Sequence, residues 1–105
     1  MESLDLPQRA VAELSELLRW NSGEHPPAPP LGQAEAEQMA REVLGSLLSL
    51  PDDVYPKQLR RRGLQFILHE EPGLPGRKIY CSIWDGERWR ELGDVEVPAP
   101  GGVES

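Results

Sequence analysis

The chain has 105 residues, enough for one domain with a single modest core. Its 18 acidic and 11 basic residues give a formal net charge of -7, which disfavours nonspecific attraction to nucleic-acid backbones or anionic membranes. The lone cysteine, Cys81, excludes an intramolecular disulfide, and the N-terminal residues contain no long apolar run. We therefore expect a cytoplasmic protein without a signal peptide or a membrane span.

The first periodic segment predicts a helix over about 6–20. Asp5 is a good N-cap residue, and Pro7 falls in the first turn, where a missing amide hydrogen costs little. The apolar residues recur at helical spacing and form one stripe: Ala10, Val11, Leu14, Leu17 and Leu18. The proline-rich segment 24–32 cannot be helical and is predicted to be an extended, semi-stiff connector.

A second amphipathic helix is predicted over about 33–49, and Pro51 stops it. Its apolar stripe contains Ala36, Ala40, Val43, Leu44, Leu47, Leu48 and Leu50. Asp52 or Asp53 could then cap a short third helix that begins near Pro56 and ends at Gly63.

From Leu64 onward the apolar residues alternate, as in half-buried strands. Strands are predicted over 64–71, 77–84 and 87–92, with a loop at 72–76 and a short fourth strand at 94–97. The fold class is therefore α+β, with two main helices and a short third helix packed on a three- to four-stranded antiparallel β-meander. We expect one domain over 1–98 and a flexible tail over 99–105.

The loop between 77–84 and 87–92 decides which side chains share a face of the sheet. A two-residue Asp85-Gly86 loop, which the turn chemistry favours, pairs Trp84 with Glu87. Any loop of even length places Tyr80, Trp84 and Trp89 on one face. A three-residue loop would instead move Trp89 to the opposite face, which carries Ile79, Cys81 and Ile83.

With an even loop, both faces of this hairpin carry apolar groups, while the two main helices can cover only one. A second copy of the chain or a partner protein could cover the other face. Alternatively, the proline-rich segments, the short third helix and the tail could fold over it.

Catalytic chemistry has little support in the sequence. His69 lies on the strand next to Cys81 and could approach it, but we find no third residue to orient the pair, and a buried structural cysteine is commoner. One cysteine and two histidines without ligand spacing do not predict a metal site, and no cofactor motif is present.

One basic cluster supports an alternative function. Lys57, Arg60, Arg61 and Arg62, together with the hairpin aromatics, could form a stacking and phosphate-binding surface for single-stranded nucleic acid. The acidic net charge disfavours this alternative.

The leading hypothesis is a non-enzymatic protein–protein interaction module, such as a regulator, an inhibitor or an assembly factor. Tryptophan, tyrosine and arginine most often dominate the energetics of protein interfaces. The predicted contact residues are Tyr80, Trp84, Arg88, Trp89 and Arg90. The partner would be another protein or a second copy of the chain.

Overall fold

A computed structural model of the chain describes residues 6–26, 28–51, 53–54, 56–70 and 76–97. Two helices precede four strands: α1 (Gln8–Trp20), α2 (Gln33–Ser49), β1 (Lys57–Arg61), β2 (Leu64–Glu70), β3 (Arg77–Trp84) and β4 (Trp89–Val97). The strands form one antiparallel sheet in the order β1-β2-β3-β4. The predicted α+β fold class is therefore confirmed. Asp5, Asp52, most of the predicted 72–76 loop and the 99–105 tail lie outside the described residues.

The bounds of both helices follow from local chemistry. Helix α1 begins at Gln8, directly after Pro7, whose carbonyl accepts the amide hydrogen of Val11 at 3.0 Å. Helix α2 has the predicted bounds. Its Glu35 carboxylate accepts the backbone amide of Gly32 at 3.2 Å, which satisfies one of the free donors at the helix start.

The core lies between the two helices and one face of the sheet. Phe66 at its centre is fully buried. Helix α1 lies against β4, and helix α2 lies against β1 and β2. The buried residues of this cluster are Ala10, Val11, Leu14, Leu18, Ala40, Val43, Leu44, Leu47, Leu64, Phe66, Leu68, Ile79, Cys81, Val95 and Val97.

The prediction of a short third helix ending at Gly63 is wrong, because residues 57–61 form the edge strand β1. Arg62 and Gly63 both have positive φ, at 58° and 75°, and make the two-residue turn that joins β1 to β2. Leu59 pairs with Phe66 and packs on the core. The open edge of β2 thus supplies hydrogen-bond partners that outweigh a weak helical preference over so few residues.

Strand β4 unites the predicted 87–92 and 94–97 strands through a β-bulge. The register shifts between Cys81 and Ser82, so that Cys81 faces Gly93 and Ser82 faces Glu91, leaving Leu92 as the extra residue. Without this shift, strict alternation would place Trp89 on the same side as Val95 and Val97. The bulge therefore allows both valines to be buried in the core while Trp89 lies on the other face.

Candidate functional site

The candidate site is the face of the sheet that points away from the helices, called here the outer face. Its side chains follow from strand alternation and register: Gln58, Arg60, Gln65, Ile67, His69, Lys78, Tyr80, Ser82, Trp84, Trp89, Glu91, Asp94 and Glu96. Both described helices pack on the opposite face. The short third helix, which could have covered the outer face, is instead the strand β1.

The hairpin between β3 and β4 brings the two tryptophans together. Trp84 pairs directly with Trp89, and their rings lie edge to face, with centroids 5.6 Å apart and planes inclined at 64°. The even-loop prediction that Tyr80, Trp84 and Trp89 share a face is therefore confirmed. Trp84 remains 42% exposed, a large value for an indole within a sheet.

The favoured two-residue loop, however, is wrong, because four residues, 85–88, connect the strands. The Asp85 carboxylate accepts the backbone amides of Glu87 at 2.8 Å and Arg88 at 2.9 Å, and it also binds the Arg90 guanidinium. These bonds satisfy the loop amides and lower the pKa of Asp85 to about 2, chiefly through the hydrogen bond with Arg90. The longer loop also makes Trp84 and Trp89 direct cross-strand partners, whereas a two-residue Asp-Gly turn would pair Trp84 with Glu87.

The two arginines predicted to accompany the aromatics are placed elsewhere. Arg88 lies in the loop and is exposed. Arg90 pairs with Ile83 across the strands, and alternation puts it on the side opposite to Trp89. The arginine that does join the aromatics is Arg60 of β1, whose guanidinium lies 4.9 Å from the centroid of the Trp89 ring. The predicted short helix from about Pro56 to Gly63 does not place Arg60 beside the aromatics, whereas strand alternation through 57–61 puts it on the outer face.

The triple arginine does not form one basic surface. Arg60 stacks on Trp89, while Arg61 points to the helical side and binds the Glu42 carboxylate at 2.5 Å. Arg62 donates to the carbonyl oxygens of Asn21 at 3.2 Å and Pro29 at 2.8 Å. Arg62 thus ties the proline-rich connector to the β1–β2 turn.

The far end of the outer face is more polar. The rings of His69 and Tyr80 lie with centroids 6.1 Å apart. Lys78 and Asp94 form an ion pair at 3.5 Å, and the negative charge of Asp94 is the main cause of the raised pKa of Lys78. Ile67, half-buried, pairs with Tyr80 and continues the apolar surface toward β1. The outer face therefore carries its tryptophan pair at the end next to the β3–β4 loop and the Lys78–Asp94 ion pair toward the opposite end.

Cys81 and His69 are not brought together. Cys81 pairs with Phe66 and is buried in the core, whereas His69 belongs to the outer face. The structure therefore does not bring together the two side chains on which the cysteine-dependent alternative depends. Burial raises the pKa of the Cys81 thiol to about 12, which keeps it protonated and unreactive at neutral pH.

The remaining features of the described residues carry little chemistry. No group of three or more histidine, cysteine or carboxylate side chains there could hold a metal ion. Neither described helix has the length and apolarity needed to cross a membrane. A shallow depression of about 390 Å³ lies between α2 and β1, where Glu42 and Arg61 neutralise one another. Comparison with protein-family models, curated proteins and solved structures finds no match to this chain.

Proposed function

We propose that this protein is a small non-enzymatic interaction module of the cytoplasm that docks through its outer face. It would act as a regulator, an inhibitor or an assembly factor, and its partner would be another protein or a second copy of itself. One observation carries the proposal: Trp84, 42% exposed, lies against Trp89 on a sheet face that neither described helix covers. A tryptophan pair with a nearby arginine is the composition typical of the energetic centre of an interface.

The form of the two sheet edges favours docking by the face. Strand β1 is only five residues long and carries the basic residues Lys57, Arg60 and Arg61. Strand β4 is interrupted by its bulge and carries the acidic residues Glu91, Asp94 and Glu96. Short, charged or bulged edge strands resist the addition of a further strand. A partner is therefore expected to contact side chains of the outer face and not the backbone of an edge strand.

The two alternative functions have less support. Single-stranded nucleic acid would need a continuous basic surface, and the three consecutive arginines point to three different places. A cysteine-dependent reaction would need an accessible thiolate, whereas Cys81 is buried with a raised pKa.

Affinity capture with a matched pair of tryptophan variants tests the proposal. The tagged chain is expressed in its native cells beside an untagged copy, and the captured proteins are quantified by mass spectrometry. We expect Trp84→Ala to reduce recovery of the partner at least tenfold, because truncation of a central interface tryptophan costs about 2 kcal/mol or more.

The control is Trp20→Ala, which removes an indole that is 58% exposed on helix α1, away from the sheet. This variant should capture as much partner as the unmodified chain. Equal capture by Trp84→Ala and the unmodified chain would reject the outer face as the docking surface.

A further inference from the structure

The exposed tip of the β3–β4 hairpin carries an aspartate followed directly by a glycine, Asp85-Gly86. This pair is especially prone to an intramolecular rearrangement, because glycine has no Cβ to hinder the approach of its backbone nitrogen to the aspartate side chain. The space around Gly86 is also open, since an added Cβ would meet no atom within 4 Å. Sterically, nothing at Gly86 protects this bond.

We infer that Asp85-Gly86 is a latent site of covalent self-modification, the conversion of aspartate to isoaspartate, and that Arg90 keeps it unreacted in the folded chain. In this reaction the backbone nitrogen of Gly86 attacks Cγ of Asp85 and forms a C–N bond. The amide proton and the carboxyl hydroxyl leave together as one water molecule, which closes a five-membered succinimide ring. Water then opens the ring, and opening at the former backbone carbonyl leaves the main chain running through Cγ, which is isoaspartate.

The contacts of the Asp85 carboxylate oppose the first of these steps. Oδ2 accepts the Nε hydrogen of Arg90, and Oδ1 accepts the backbone amides of Glu87 at 2.8 Å and Arg88 at 2.9 Å. Loss of water requires the carboxyl to be protonated, whereas all three contacts stabilise its ionised form. They lower the pKa of Asp85 from 3.8 to about 2, the hydrogen bond with Arg90 contributing most. At neutral pH the reactive, protonated fraction is therefore reduced on the order of 50-fold.

The protection by Arg90 depends on the folded hairpin. Arg90 lies on β4, opposite Ile83 of β3, and its guanidinium reaches back to a loop residue five positions earlier. Separation of the two strands removes this constraint and releases the carboxylate. Isoaspartate would then add one carbon to the main chain of the four-residue loop, 85–88, whose length makes Trp84 and Trp89 direct partners. The hairpin thus protects the loop on which its own register depends.

The rate of isoaspartate formation in the full chain tests the inference. The chain is incubated in mildly acidic buffer, digested, and analysed by liquid chromatography with mass spectrometry, which separates the two isomers of the peptide that contains residue 85. We expect Arg90→Ala to react faster than the unmodified chain by a factor of about five to ten, because the Asp85 carboxyl loses the largest contribution to its ionisation. Arg90→Met, which keeps the apolar stem of the side chain but has no donor, should be accelerated equally.

The matched control is Arg88→Ala, which removes an arginine of the same loop but retains the contact, since Asp85 binds the backbone amide of residue 88. Arg88→Ala should react at the rate of the unmodified chain. In concentrated guanidinium chloride all four chains should react at one common rate, faster than that of the folded unmodified chain. Circular dichroism checks that the variants are folded, as the exposure of Arg88 and Arg90 predicts. Unchanged rates in both Arg90 variants, equal acceleration in Arg88→Ala, or equal rates in the folded and unfolded unmodified chain would each overturn the inference.

Discussion

If the outer face is a surface and not a second core, replacing Trp84 by alanine should lower the free energy of unfolding only moderately. With 42% of Trp84 exposed, somewhat more than half of its surface is buried. For an aromatic side chain of about 200 Å², that burial is worth at most about 3 kcal/mol, and about 2 kcal/mol after allowing for a compact unfolded chain. Phe66 is fully buried, so Phe66→Ala adds a cavity and should cost about 4 kcal/mol.

Urea denaturation followed by far-ultraviolet circular dichroism measures these differences. Trp20→Ala completes the series, because an indole with 58% exposure should contribute about 1.4 kcal/mol by the same reasoning. The loss of stability should therefore rise from Trp20 to Trp84 to Phe66, with unchanged dependence on urea concentration. A loss at Trp84 as large as that at Phe66 would refute the reasoning and identify the indole pair as part of a core.

Three further predictions concern single residues. Gly63→Ala should lower the free energy of unfolding in urea by about 2 kcal/mol or more, because φ is +75° and a Cβ there would meet backbone at 2.5 Å. The control Gly45→Ala, in open space within α2, should raise it by about 1 kcal/mol. A tolerated Gly63→Ala would refute the tight turn. Native Cys81 should react slowly with iodoacetamide at pH 8. Because the pKa of Cys81 rises from 9.0 to about 12 on folding, the free energy of unfolding should fall as pH rises from 9 toward 12. Cys81→Ala should reduce this pH dependence. The same pH dependence in both proteins would disprove the prediction. The hydrogen bond with Arg90 lowers the pKa of the Asp85 carboxyl to about 2. Ionised Asp85 therefore stabilises the fold above pH 4, and this stabilisation is lost as pH falls toward 2. A midpoint near pH 4 in an NMR titration of Asp85 would contradict this contact.

Much of the fold could be predicted from periodicity alone. The bounds of α2 follow from its apolar spacing and from Pro51, and both remain valid in the structure. The sequence does not predict β1, because the weak local preference of this segment is overridden by its pairing with the open edge of β2. The sequence predicts Gly63 as a helix terminator, whereas in the structure it makes a hairpin turn with Arg62. A single glycine after a short polar run does not distinguish these two roles.

The aromatic part of the site could also be predicted, but its basic part could not. An even number of loop residues correctly predicts that Trp84 and Trp89 share a face of the sheet. A simple alternating pattern, however, cannot predict the bulge at Leu92. The bulge explains why Trp89 and Val95, which are separated by an even number of positions, lie on opposite faces. Arg60 reaches Trp89 across two intervening strands, a contact that depends on the complete sheet and not on local sequence.

The most direct test of the central claim is site-specific photo-crosslinking from the outer face in native cells. A photoreactive amino acid is placed at Gln58, an exposed outer-face position on β1, and in a control chain at Ala12, an exposed position on α1. We expect position 58 to give a discrete crosslinked product, a second copy or another protein, that Trp84→Ala abolishes and that position 12 does not give. Equal products from the two positions, or a product that survives Trp84→Ala, would contradict docking through the outer face.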